Sequence, residues 1–250
     1  IAKGIGSVKF LSEEVATELF KVYNQQPTSF IDVIRLSDQE TSVGLSKIEI
    51  LIKIGFFDHY GIQSKLLYIL ATYQFFRAST GKGFRKNIKK SVLQTEHFEL
   101  YDIVKNNSTD LKKDNTIKES FTIQNIDNIL NGIETIANQM NFKSWNYKRI
   151  IQTQKEYLGY IDLTTHKAED RQKLLVKNVY PLKNKQTNEE FAKRISYRSI
   201  GTGKEGSLTL KHYLFASLPL KQYDVIYVPL DGIYKDKKGY WNLTKYKLLN

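Results

Sequence analysis

Over the first 80 positions the apolar residues recur at helical spacing in short runs broken by glycine and proline. Ser12, followed by Glu13 and Glu14, marks a helix start with acidic residues in its first turn, and Val15, Leu19 and Phe20 form the apolar stripe behind it. Pro27 interrupts the chain. Ser29 then caps a short helix carrying Phe30, Val33 and Ile34, and the polar run 38–42 connects it onward. A third helix turns Ile48, Leu51, Ile52 and Ile54 inward and closes at Gly55. After Gly61 comes a strongly apolar helix over 62–79, with Leu66, Leu67, Ile69, Leu70, Tyr73 and Phe76 available for packing. The pattern predicts a compact helical bundle over residues 1–80.

The composition changes next to a basic cluster (Lys82, Arg85, Lys86, Lys89, Lys90) and a polar stretch, 106–115, with few apolar anchors, so residues 81–122 are expected to be a mobile connector. Helical period returns with Ile123, Ile126, Ile129, Leu130, Ile133 and Ile136, and again between Trp145 and Tyr157. These predict two bridging helices within 123–170, the second ended by Gly159.

Beyond Arg171 the period becomes two. Leu174, Val176 and Val179 alternate with polar neighbours, and Ile195, Tyr197 and Ser199 continue the habit. A glycine-rich turn at 201–206 leads to a third strand over 207–215, and a lysine-rich turn at 235–239 joins a fourth over 225–233 to a fifth over 240–248. Five short strands in a basic segment predict an OB-fold barrel over 171–250. The fold class expected for the whole chain is α+β: a helical bundle, a connector, bridging helices and a five-stranded barrel.

Composition narrows the chemistry. With 250 residues, 41% of them hydrophobic, two domains of ordinary size fit. Absence of cysteine removes disulfide scaffolds, thiolate zinc sites and thiol catalysis. His59, His97, His166 and His212 show no ligand spacing, so neither a metal nor another cofactor is expected. No apolar run reaches about 18 residues, and a soluble, cytoplasmic protein is expected, with no membrane partner. Beginning at Ile1 without a leader pattern and entering patterned structure at once, the chain is expected to be cut from a longer polypeptide. The net charge is +12, and residues 171–250 hold 16 Lys and Arg against 6 Asp and Glu, which points to a polyanionic partner.

The opening Gly4-Ile-Gly-Ser-Val-Lys-Phe10 and the helix after it resemble the tandem helix-hairpin-helix segment of the DNA polymerase III alpha subunit, a bacterial-type replicative polymerase. Phe30-Ile-Asp-Val33, the helix over 45–54 and Leu51-Ile-Lys-Ile-Gly-Phe-Phe-Asp-His-Tyr-Gly61 are similar to later phrases of that domain. Glu156-Tyr-Leu-Gly-Tyr160 is similar to the segment before the family's OB domain, and the order of parts agrees across nearly the whole chain. The resemblance implies the region after the catalytic core, holding DNA and sliding clamp. Nucleotidyl transfer and its magnesium would belong to upstream segments, and other replisome subunits are further partners.

Three groups of candidate residues follow. Gly4 and Gly6, with Lys3 and Lys9 nearby, are suited to a duplex backbone, because glycines let backbone N–H groups approach a phosphate at a helix N-terminus. Gln94-Thr-Glu-His-Phe98 lies where the family carries its internal clamp peptide. There Gln94 would serve a pocket rim and Phe98 supply buried area from a short extended segment, with His97 in the aliphatic anchor's place. The alternative is that Leu93, Phe98, Leu100 and Tyr101 are core contacts of a short helix. For single strands the barrel offers Arg194, Tyr197, Arg198, Lys211, Tyr213 and Phe215 on its second and third strands, and Tyr234, Lys237 and Trp241 about the last hairpin. Alternation lets only some of these face outward together.

No palm-like carboxylate set, phosphate-loop lysine motif or nucleophile elbow occurs, so the chain itself is expected to hold no catalytic site. Two other readings stay open: a stand-alone, non-enzymatic single-stranded nucleic-acid-binding OB protein, and an RNA-binding OB module attached to a helical domain.

Overall fold

The computed structural model describes residues 4–112 and 114–249. The chain divides between Trp145 and Asn146 into two compact units. Among the described residues they contain nine α-helices and ten strands, an α+β protein.

The first unit enters through a 3-10 turn at Ile5–Ser7, and four helices follow: α1 (Glu13–Asn24), α2 (Phe30–Glu40), α3 (Leu45–Lys53) and α4 (Gln63–Phe76). In α1 the inward residues are Val15, Leu19 and Val22, spaced by four and three, which leaves Phe20 61% exposed rather than in the stripe. The Ser29 side chain caps α2 by accepting from the Asp32 backbone N–H. Helix α3 ends before Gly55, which takes the left-handed φ of +84° that a side chain would resist. Helix α4 is apolar nearly all round, so it takes the centre, packing against α2, α3 and α7 (Ile126–Gln139). Its Tyr73 hydroxyl donates to the buried Asp38 carboxylate at 3.0 Å, and Arg77 Nε stands 3.0 Å from the same oxygen.

Residues 81–122, expected as a mobile connector, are folded into this unit. They carry β1 (Asn87–Lys89), α5 (Lys90–Glu96), α6 (Tyr101–Asn106) and β2 (Ser108–Leu111), and β3 (Ile117–Ile123) completes an antiparallel sheet in the order β1-β3-β2. Ile88 pairs with Phe121, and both are buried together with Leu93, Leu100 and Val104. These anchors are far apart in sequence and converge only in space, so no local period reveals them.

In the second unit, α8 (Tyr147–Tyr157) ends at Gly159, at φ +70°. The helices expected as a pair of bridges therefore fall in different units. After α8 come β4 (Lys173–Lys183), β5 (Glu190–Ser199), β6 (Glu205–Lys211), α9 (His212–Ser217), β7 (Val225–Tyr227), β8 (Ile233–Lys235), β9 (Trp241–Leu243) and β10 (Lys247–Leu248). The sheet has seven strands in the order β10-β7-β4-β5-β6-β9-β8. Three strand expectations change. The third strand stops at Lys211 and becomes α9, the fourth is broken by a 3-10 turn at Leu230–Gly232, and the fifth is split into β9 and β10.

This sheet must curl. Laid flat, β7 and β8 would lie five strand spacings apart, about 24 Å, whereas the six residue steps from Tyr227 to Ile233 span at most about 22 Å. The short link ties the two ends together: the Val228 N–H donates to the Gln172 carbonyl beside β4, and the Gly232 carbonyl accepts from the Thr244 N–H beyond β9. Inside the curl lie Leu174, Val176, Ile195, Leu208, Leu210, Ile226 and Leu243, with Leu214 and Phe215 of α9 packed against them. On the outer face, Leu175 and Val225 meet Ile151 of α8. Helix α8 thus covers one end of that face.

Candidate nucleic-acid interface

Alternation along β5 decides which candidates look outward. Ile195 is fully buried in the core, so Lys193 and Tyr197 share its inward side, whereas Ala192, Arg194, Ser196 and Arg198 share the outward one. Tyr197 packs on the core opposite Gly206, where a Cβ would stand 2.6 Å from the Tyr197 hydroxyl oxygen. Glycine is needed there because the ring lies across it. Phe215 also packs inward, with Lys193 Nζ 4.9 Å from its ring centroid. Tyr197 and Phe215 are therefore half-buried rings packed inward against the core, a correction to their expected place on the binding face.

Strand register carries the outward set across the sheet. Arg194 pairs with Tyr180 on one side and Thr209 on the other; Thr209 pairs with Asn242, and Asn242 with Tyr234. One row of residues thus crosses five strands from ring to ring, with Tyr180 50% and Tyr234 41% exposed. Beside this row a groove of about 880 Å³ is lined by Arg194, Lys211, Tyr213, Lys238 and Tyr240, with the exposed Phe191 at its edge. The Arg194 guanidinium lies 6.0 Å from the Tyr240 ring centroid, near the outer limit of a cation–π contact. Among the described residues, Arg194, Lys211, Lys237 and Lys238 form no ion pair.

The groove's one carboxylate is committed elsewhere. Asp236 accepts from the backbone N–H groups of Tyr240 and Lys238, each at 2.9 Å, and from Asn242 Nδ2 at 3.3 Å. The backbone bond from Tyr240 leads the contributions that hold its carboxyl below the usual carboxylate range. Asp236 thereby fixes the turn that carries Lys238, with Gly239 at φ +86°. The groove keeps a positive balance.

The other expected barrel residues sit apart from this row. Trp241 is exposed, takes Leu243's parity rather than Asn242's, and has Lys235 Nζ 5.8 Å from its ring. Lys237 is exposed in the turn. Arg198 faces outward beyond Ser196, its Nε donating to the Gly203 carbonyl and its Nη1 3.9 Å from Asp162 Oδ1. Tyr180, Phe191, Thr209, Tyr240 and Asn242 escaped the sequence reading. Parity along β4, β6 and β9 is the signal that identifies Tyr180, Thr209 and Asn242, once the strands' true bounds are known.

The chain matches no protein-family model, no curated protein and no solved structure.

In the first unit the expected phosphate nest does not gather. Gly4 and Gly6 lie at an ordinary 3-10 turn, and a Cβ on Gly6 would meet Glu13 Cγ at 3.0 Å. The left-handed residue is Phe10, at φ +71°. Lys9 is exposed with Nζ 5.2 Å from the Phe10 ring centroid, and Lys3 lies outside the described residues. The Gln94–Phe98 stretch is helical rather than extended: Gln94 is in α5 and Phe98 begins a 3-10 turn. Gln94 is exposed and Phe98 75% exposed, His97 rests 4.2 Å from Phe75 between ring centroids, and Leu93 and Leu100 are buried. The two readings of this segment divide there, with the leucines in the core and Phe98 at the surface.

Among the described residues, no group of three or more His, Asp or Glu is placed to hold a metal ion, and no helix is long and apolar enough to cross a membrane.

Proposed function

We propose that the second unit is an OB-fold module that binds single-stranded nucleic acid across the outer face of β5, β6 and β9. In this reading the chain is the DNA- and clamp-binding portion of a replicative polymerase similar to the polymerase III alpha subunit, with catalysis and its magnesium in segments outside this sequence. The strand order supports the OB assignment: a β4-β5-β6 meander, a helix, a fourth strand divided into β7 and β8, and a last strand, β9, parallel to β6. The row Tyr180–Arg194–Thr209–Asn242–Tyr234 carries the functional reading. It sets rings for base stacking beside cations that make no ion pair among the described residues, the two ingredients a single strand requires. The polymerase context rests on the sequence resemblance.

The test is fluorescence anisotropy with a labelled single-stranded oligonucleotide over a salt series. Affinity falls with salt at a slope of about 0.7 per phosphate contact, and Arg194→Ala and Lys211→Ala each lower that slope. Salt-independent binding contradicts the assignment.

The exposure of Phe98 beside Gln94 favours a second function, capture by a sliding clamp that draws this segment out of its helical form. With His97 in place of an aliphatic anchor, the affinity is lower than that of a full match by roughly 1.5–3 kcal/mol. Unchanged clamp affinity in a Gln94→Ala, Phe98→Ala double variant excludes it.

A further inference from the structure

A second cavity, of about 230 Å³, opens on the outer side of the curled sheet at the end where α8 packs. Three cations from three elements reach it: Lys155 from the last turn of α8, Lys177 from β4 and Arg198 from β5. Among the described residues, no carboxylate lines it. A bulge in β4 brings two consecutive residues to the cavity: Val176 pairs with Tyr197 and Asn178 with Ser196, so Lys177 is the extra residue and both it and Asn178 line the cavity. A bulge re-aims the side chain it carries.

None of the three charges is fully satisfied at home. Lys177 Nζ is 2.8 Å from Glu205 Oε1 in a pair whose side chains are 42% and 55% exposed. Arg198 holds Asp162 only at 3.9 Å, and Lys155 Nζ sits 3.5 Å from the Tyr223 ring centroid with no carboxylate partner among the described residues. Pairs this exposed are weak and yield to a stronger acceptor. Gln222 Nε2 donates to Asn178 Oδ1 at 3.2 Å, which orients the Asn178 amide and leaves its own donors for an anion.

We propose that this cavity is a phosphate-binding site. Its volume lies below the roughly 300–1,000 Å³ of pockets that take whole drug-sized ligands, so it suits a compact anion. Resting on the nucleic-acid reading above, the phosphate belongs to the backbone of a strand whose neighbouring nucleotides lie in the groove. Arg194 and Arg198 share one face of β5, four residues and about 13 Å apart, so one strand reaches both. Between them Ser196 keeps a buried Oγ with no hydrogen-bond partner among the described residues.

The first experiment titrates the full chain, labelled with nitrogen-15, with inorganic phosphate at low ionic strength, using chloride as the control. Saturable shifts at the Gly159, Asn178 and Gln222 amides and the Arg198 Nε–H, lost in a Lys155→Gln, Lys177→Gln double variant, are expected. The exposed single change Lys155→Gln serves if the double variant misfolds. Absent shifts in the native chain, or unaltered shifts in the variant, overturn the site. The second experiment separates the sources of phosphate with oligothymidylates of four and twelve nucleotides. The double variant should weaken the longer one about tenfold, lower its salt slope by about 0.7 per cation removed, and leave the shorter unchanged. Equal effects on both lengths, with phosphate still bound, overturn the strand route and leave free phosphate as the ligand. If the native chain binds neither oligomer, the nucleic-acid reading fails while the phosphate titration still decides the site.

Discussion

In the first unit, the backbone N–H groups of Phe30 and Ile31 that open α2 donate to the Glu134 carboxylate of α7 at 3.4 and 3.3 Å, and Gly6 lies against Glu13. In the second, Arg194, Lys211 and Lys238 surround a groove whose one carboxylate is bound to its own turn. A helix N-terminus attracts any anion, and in the first unit the chain supplies that anion itself. The comparison teaches that charge and N–H groups the fold has already satisfied are poor guides to a ligand. Those it leaves over are better ones, although both look alike in sequence.

The strongest way to break this contrast is to exchange roles between the two faces of the curled sheet. Tyr197→Ala removes a ring from the core and should destabilise the second unit by about 2 kcal/mol, seen in denaturant unfolding. Tyr180→Ala on the outer face should leave stability nearly unchanged and weaken oligonucleotide binding by about 1–3 kcal/mol. If Tyr197→Ala costs binding alone, the assignment of faces is wrong.

Glu134→Ala sharpens the other half. Losing the carboxylate at the start of α2 should cost the first unit about 1 kcal/mol, with oligonucleotide affinity unaltered by titration. A gain in affinity would mean that the α2 terminus is itself a binding site held shut by Glu134.

The smallest effect concerns pH. Asp236 has a depressed folded-state pKa, so its contribution to the 236–240 turn is complete above the ordinary aspartate value of about 3.9 and is lost as pH falls through the lowered one. The Tyr240 amide signal should hold steady through mildly acidic pH and shift only below that range. A shift near neutral pH would show that another group fixes the turn.

Much of the helical architecture was legible because its signals are local. Ser29 caps the helix it was expected to cap, and Gly55 and Gly159 end theirs in left-handed geometry. Phase was less legible: Phe20 and Val22 both fit a helical stripe with Leu19, and packing selects Val22. In the sheet, Pro181 concealed the length of β4. The strand passes through it because β7 reaches only Leu175, leaving an edge at Pro181 that needs no donor. Without that extension Tyr180 has no place in the row, so the site was found at Arg194, Lys211 and Tyr234 and missed at its Tyr180 end. Tyr213, Leu214 and Phe215 read as strand formers, yet the chain turns into α9 at His212 and sends Leu214 and Phe215 to the core.

The most direct test of the central claim is a map of oligothymidylate contacts on the isotopically labelled chain by amide shift perturbation. The account predicts saturable perturbations concentrated at Ala192, Arg194, Thr209, Lys211 and Asn242, with residues 4–9 and the inward Ile195 unaffected. Perturbations centred on residues 4–9, or none on the outer face of the sheet, would contradict it.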